Sequence, residues 1–123
     1  MRAKDAVGQY GERVAARHLT EAGLTVVCRN WRCPDGEIDL IAVEGDVLVF
    51  CEVKTRSSTS FGAPAEAVGA AKAQQVRQLA LRWLAAQRRY GEARFWPELR
   101  FDVVSVLRRP RGAAAVVHIR AAF

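Results

Sequence analysis

The segment that most restricts what this chain can become is Val47-Leu48-Val49-Phe50-Cys51. It is apolar on both faces, so it predicts a central strand covered on both sides and therefore a sheet with helices on both faces. A second strand is expected just before it, from Glu37 to Val43, and the covered strand itself is expected to run from Val47 to Lys54. If Gly45-Asp46 is a two-residue hairpin loop with glycine at the first central position, as a type II′ turn wants, Glu44 lies opposite Val47. The same register sets Val43 opposite Leu48, Ile41 opposite Phe50, Asp39 opposite Glu52 and Glu37 opposite Lys54. Opposed residues point to one face and so do alternate residues along a strand, which gathers Glu37, Asp39, Glu52 and Lys54 on one side of one sheet end. A slip of one residue, such as a three-residue loop would bring, turns Glu52 away from Asp39.

Around this hairpin the chain is expected to be helix, three strands, helix, two strands. Val7, Val14, Ala15, Leu19 and Ala22 recur at helical spacing between Lys4 and Ala22, with Gly23 as the C-cap. Val26-Val27 opens a strand through Arg32 that enters a polar loop at Cys33-Pro34-Asp35-Gly36. Thr55 to Gly62, rich in Ser, Thr and Gly, predicts a loop. From Pro64 to about Arg89, Val68, Val76, Leu79, Trp83 and Leu84 form one inward stripe, with Gly69 as a break. Strands are expected at Leu99–Leu107 and Ala114–Ile119, joined by a turn at Arg108–Gly112. The 123 residues suit one domain spanning 1–123. No Gly-rich phosphate loop joins a strand to a helix, so this is a mixed α/β layer and not a doubly wound nucleotide-binding unit.

Two carboxylates opposed across a strand pair, with Cβ atoms roughly 4.5–5.5 Å apart, repel and call for a positive charge between them. Hard oxygen donors at that separation suit Mg²⁺, with Mn²⁺ as its substitute. Lys54, on the same face, is placed to orient an attacking water or to stabilise charge on a phosphate. The plainer alternative is a surface charge cluster in which Lys54 neutralises Asp39 or Glu52.

A carboxylate on one strand followed by Glu-x-Lys on the next resembles the core of the PD-(D/E)XK nuclease superfamily. Gly11-Glu12, Arg29-Asn30, Gly36-Glu37-Ile38-Asp39-Leu40-Ile41, Phe50-Cys51-Glu52-Val53-Lys54-Thr55-Arg56, Phe61-Gly62 and Phe101-Asp102-Val103 together resemble the uncharacterised YraN family. The resemblance implies a restriction-endonuclease-like fold of order αβββαββ, similar to the archaeal Holliday junction resolvases. It also implies a divalent metal and phosphodiester hydrolysis. By the same resemblance Asp39 and Glu52 match the metal-binding acids, the Val53 carbonyl a further ligand, Lys54 the catalytic lysine and Glu12 the helix-borne acid, which often acts through water. Glu12 lies seven residues before Leu19 and so shares the buried stripe, where an isolated carboxylate is costly. Ile38 stands where the named motif has proline, and Pro34-Asp35 is not the match because Asp35 falls in the loop. Cys51 alternates with Glu52 and is expected to point away from the site.

Nineteen Lys and Arg against thirteen Asp and Glu give a net charge of +6, the background of a protein that meets polyanions. Nucleic acid, DNA in the first instance, is the expected partner. Arg56 and Lys72 are the candidates for contact with it: Arg56 for bidentate hold on a phosphate beside the Ser57–Ser60 loop, Lys72 at the start of the second helix's inward stripe. Each has a solvating surface role as its alternative. Trp31, Trp83 and Trp96 can stack on bases, with core packing the better reading for Trp83. Asp102 is expected to pair internally, and His18 and His118 lack metal-ligand spacing. Cys28, Cys33 and Cys51 indicate neither a disulfide framework nor a zinc ribbon. No run is long enough to span a bilayer, and Met1 to Ala6 lacks the apolar core of a signal peptide, so no membrane partner and a cytoplasmic place are expected. A homodimer would suit a two-fold junction. Three functions follow: a metal-dependent endonuclease acting on DNA, including branched or structured forms; a binding or scaffolding module on the same fold without turnover; or, against the basic balance, a metal-binding protein with no nucleic-acid partner.

Overall fold

The computed structural model describes residues 6–57, 68–91 and 94–123. Its elements are α1 (Ala6–Glu21), β1 (Thr25–Cys33), β2 (Gly36–Glu44), β3 (Val47–Arg56), α2 (Ala70–Arg89), β4 (Glu98–Leu107) and β5 (Ala115–Ile119). They give a mixed α/β architecture of order αβββαββ, consistent with a restriction-endonuclease-like fold. The five strands lie in chain order across one sheet, antiparallel except where α2 carries the chain over so that β4 runs parallel to β3.

Both faces of β3 are covered, as its apolar run requires. On one side Ala15, Ala16 and Leu19 of α1 pack on Leu40, Ala42, Val49, Cys51, Val104 and Val106. On the other, Val76, Leu79, Ala80 and Trp83 of α2 pack on Ile41, Leu48, Phe50 and Phe101. Phe50 sits at the centre of that second layer, stacked on Phe101 at 5.6 Å and edge-on to Trp83 at 6.0 Å. Burying a side chain of this size stabilises by about 1.5–3 kcal/mol. Cys51 faces the α1 layer, away from Glu52, and burial pushes its thiol well above the usual range.

Two local expectations are corrected. The second helix starts at Ala70, with Gly69 extended at its N-cap, so Val68 lies ahead of the helix; Pro64 to Ala67 fall outside the described residues. β3 continues to Arg56 instead of giving way to a loop at Thr55, because the parallel ladder with β4 carries it on through Thr55 with Val106 and Arg56 with Leu107. Ser57 is a bend at the strand's end, and Ser58 to Gly62 lie outside the described residues. Among the described residues no helix is long and apolar enough to cross a membrane.

The hairpin end of β2 is tied to β4 and the chain's last residues by an ionic network. Asp102, fully buried, accepts two hydrogen bonds from Arg100 at 2.9 Å, one from the Ala121 N–H at 3.0 Å, and pairs with His118 Nε2 at 2.7 Å. Arg100 and Arg120 both reach Glu44, at 2.7 and 2.9 Å. Asp102 therefore has the internal role expected of it. Burial alone pushes the Asp102 carboxyl up, but the His118, Arg100 and Ala121 hydrogen bonds outweigh it and hold it at about 2. The Arg120 hydrogen bond, with help from Arg100, holds Glu44 at about 2 as well. Both folded values lie below the ordinary carboxylate range near ~4. Their stabilisation is thus complete above about pH 4 and is lost as pH falls through about 2. Urea midpoints taken from pH 6 down to pH 2 are expected to hold steady to about pH 4 and then drop; a flat profile would show that the network contributes nothing to folding.

Candidate functional site

The hairpin forms as Gly45-Asp46 dictates. Gly45 has φ 60 while Asp46 keeps an ordinary backbone, and the pairs Glu44 with Val47, Val43 with Leu48 and Ile41 with Phe50 follow. The ladder then stops at Leu40 with Cys51, one pair short of Asp39 and Glu52. The direct opposition of those two acids is corrected: the ladder ends before it reaches them, and Asp39 meets β3 through its side chain, Oδ2 accepting the Val53 N–H at 2.8 Å. The pairing of Glu37 with Lys54 falls beyond that end as well, and the Glu37 carboxylate instead binds Arg32 of β1 at 3.0 Å.

The reason for the early stop is a twist at Asp39. Ile38 packs in the α2 layer and Leu40, two residues on, in the α1 layer, so strict alternation breaks between them. On β1 the residue between Arg29 and Trp31 is Asn30, with φ 52, a left-handed conformation that asparagine tolerates better than most residues. Irregularities of this kind re-aim a side chain and end pairing. Here β2 peels away from β3, and the Asp39 carboxylate takes the N–H that a backbone carbonyl of β2 would otherwise have accepted.

Glu52, Lys54, Arg56 and Lys72 lie at this same end, and Glu12 stands on α1, where the neighbouring Gly11 meets Thr55 of β3. Asp39 and Glu12 are buried, at 6% and 5% exposure. Glu52 is nearly so, and two lysines face it, Lys72 Nζ at 3.6 Å from its Oε2 and Lys54 Nζ at 4.0 Å. Lys72, from the first turn of α2, thus reaches the site, which its place on the inward stripe allowed. Glu12 is set by its neighbour: Gly11 presses α1 so closely on β3 that a Cβ there would collide with the Thr55 side chain. Thr55 was not singled out from the sequence, and the glycine inside an otherwise ordinary helix just ahead of Glu12 was the signal that could have found it. Arg56, half-buried at the end of β3, is two residues beyond Lys54. Asp35 is outside the site, in the turn between β1 and β2, where Arg82 binds it at 2.6 Å.

Hard carboxylate oxygens are the donor chemistry Mg²⁺ prefers, and Mg²⁺ makes do with one or two carboxylates, completing its shell with waters and phosphate oxygens. Among the described residues no group of three or more His, Cys, Asp or Glu is poised as a metal cluster. Asp39, buried, and Glu52, nearly buried, are two carboxylates of this donor type at the open end of the hairpin.

Fold and site together define a mixed α/β protein of restriction-endonuclease-like architecture with buried acids and two lysines where its central hairpin opens. The model of the uncharacterised protein family UPF0102 matches residues 11–106. A UPF0102 protein of Beutenbergia cavernae is 58% identical over 120 residues, 98% of each chain. Another from Frankia alni is 53% identical over 123 residues, covering 100% of this chain and 98% of the relative, and one from Nocardia farcinica is 50% identical over 120 residues, 98% of this chain and 91% of the relative. The chain belongs to the UPF0102 family, whose description carries no activity.

Proposed function

We propose that this protein is a metal-dependent endonuclease of the PD-(D/E)XK type, hydrolysing phosphodiester bonds of DNA. The observation that carries the reading is the Asp39 carboxylate held by the Val53 N–H beside Glu52, with Lys54 and Lys72 within 4.0 Å of Glu52. Asp39 and Glu52, with the Val53 carbonyl, hold Mg²⁺ or Mn²⁺, and Glu12 contributes from α1, through water. The bound ion supplies Lewis-acid charge stabilisation. Lys54 orients the water for in-line attack and balances charge on the phosphate. Lys72 and Arg56 draw the strand to the site through its phosphates. The net charge of +6 favours such a partner.

The contact of both lysines with Glu52 also suits a second reading, in which the acid is simply neutralised and the fold binds nucleic acid without turnover. End-labelled single strands, duplexes, flaps and four-way junctions, incubated with Mg²⁺ or Mn²⁺ and then with EDTA, separate the two. Cleavage that requires the metal is expected, with a structured substrate cut fastest. Binding of the same molecules with no product under any metal would overturn the enzyme and leave the binding module.

A further inference from the structure

On the α2 side of the sheet, towards the helix's C-terminal end, a cavity of about 380 Å³ is lined by Trp31, Trp83 and Trp96 together with Arg88 and Arg94. Its volume falls in the range of small-molecule sites. The three tryptophans come from β1, α2 and the segment leading into β4, and they are all the tryptophans the chain has. Cys28 lines the cavity together with Trp83, and the Trp83 ring is buried in the apolar layer beneath α2. The charged groups are at the rim. Arg88 and Arg94 are exposed, and the Arg94 guanidinium lies 3.9 Å over the Trp96 ring, a cation–π contact that holds it flat. Phe95, between them in sequence, is 83% exposed.

Aromatic walls inside and guanidinium groups outside are complementary to one class of group, a flat base with a phosphate attached. We propose that this cavity binds an unstacked base of a single-stranded stretch of nucleic acid, with Arg88 and Arg94 on the flanking phosphates. The occupant is not a second copy of this chain, because a two-fold contact would bring the arginine rims together. Roughly 24 Å of helix separate Arg88 from Lys72 at the acid site, about seven base steps at 3.4 Å each. A strand cut at Asp39 would therefore have an unpaired base at some remove from the cut, which narrows the substrate to nucleic acid with a single-stranded segment. The inference rests on the nucleic-acid half of the function proposed above and not on cleavage.

Tryptophan fluorescence, excited at a wavelength that tyrosine does not absorb, reports on this cavity alone, because every tryptophan lines it. Titration with a twelve-nucleotide oligothymidylate in EDTA is expected to quench it to saturation, while a blunt duplex or an abasic strand of equal length does not. Arg94→Ala is expected to weaken the quenching interaction about tenfold, and Arg88→Ala, as an independent surface change, to weaken it as well. Strand binding detected by anisotropy without quenching, no strand binding at all, or affinity unchanged in both variants would overturn the proposal. Quenching that persists in a protein that cuts nothing with Mg²⁺ or Mn²⁺ would sink the nuclease and leave the base site standing.

Discussion

Asp39→Asn is expected to lower metal-dependent cleavage by on the order of 10²–10³-fold while the protein stays folded. The asparagine amide oxygen can still accept the Val53 N–H that Asp39 Oδ2 accepts at 2.8 Å, so the open end of the hairpin keeps its shape. What disappears is the negative charge, on which the hold on a hard divalent cation depends. Cleavage rates on the fastest-cut substrate, read beside thermal melts of both proteins, test this. Unaltered cleavage would remove Asp39 from the chemistry, whatever the wild type does. Asp39→Ala is a poorer probe, since it strips the acceptor from a partly buried N–H and costs about 1–3 kcal/mol of stability in addition.

Asp102→Ala is expected to be the most damaging single change to the fold, lowering unfolding free energy by about 3–5 kcal/mol. Asp102 is fully buried and is the common partner of Arg100, His118 and the Ala121 N–H. Its loss leaves the Arg100 guanidinium, only 13% exposed, with Glu44 as its remaining carboxylate partner. It also releases Ala121, whose φ of 53 is a conformation alanine rarely adopts unless held. Urea unfolding measures the loss directly. A change below about 1 kcal/mol would place the network with surface ion pairs, which contribute little.

Much of the fold follows from local patterns. The turn at Gly45-Asp46 sets the β2–β3 register, the five apolar residues from Val47 require cover on both faces, and the spacing of Ala15, Leu19 and Glu12 puts all three on the face α1 buries. These are readable because turn geometry and side-chain periodicity act over a few bonds, whatever lies elsewhere. The end of the β2–β3 ladder at Leu40, one pair before the acids, was not readable, because it depends on the twist at Asn30 and Asp39 and on β4 drawing β3 onward as its parallel neighbour. Nor was the closeness of three tryptophans to one another, whereas the place of Lys72 on the inward stripe already pointed it towards the site. By itself the sequence determined which residues turn inward and in what order the strands follow; only the tertiary structure decided where neighbouring strands part and which distant side chains meet. Those outcomes depend on packing between elements that no periodicity within one element can encode.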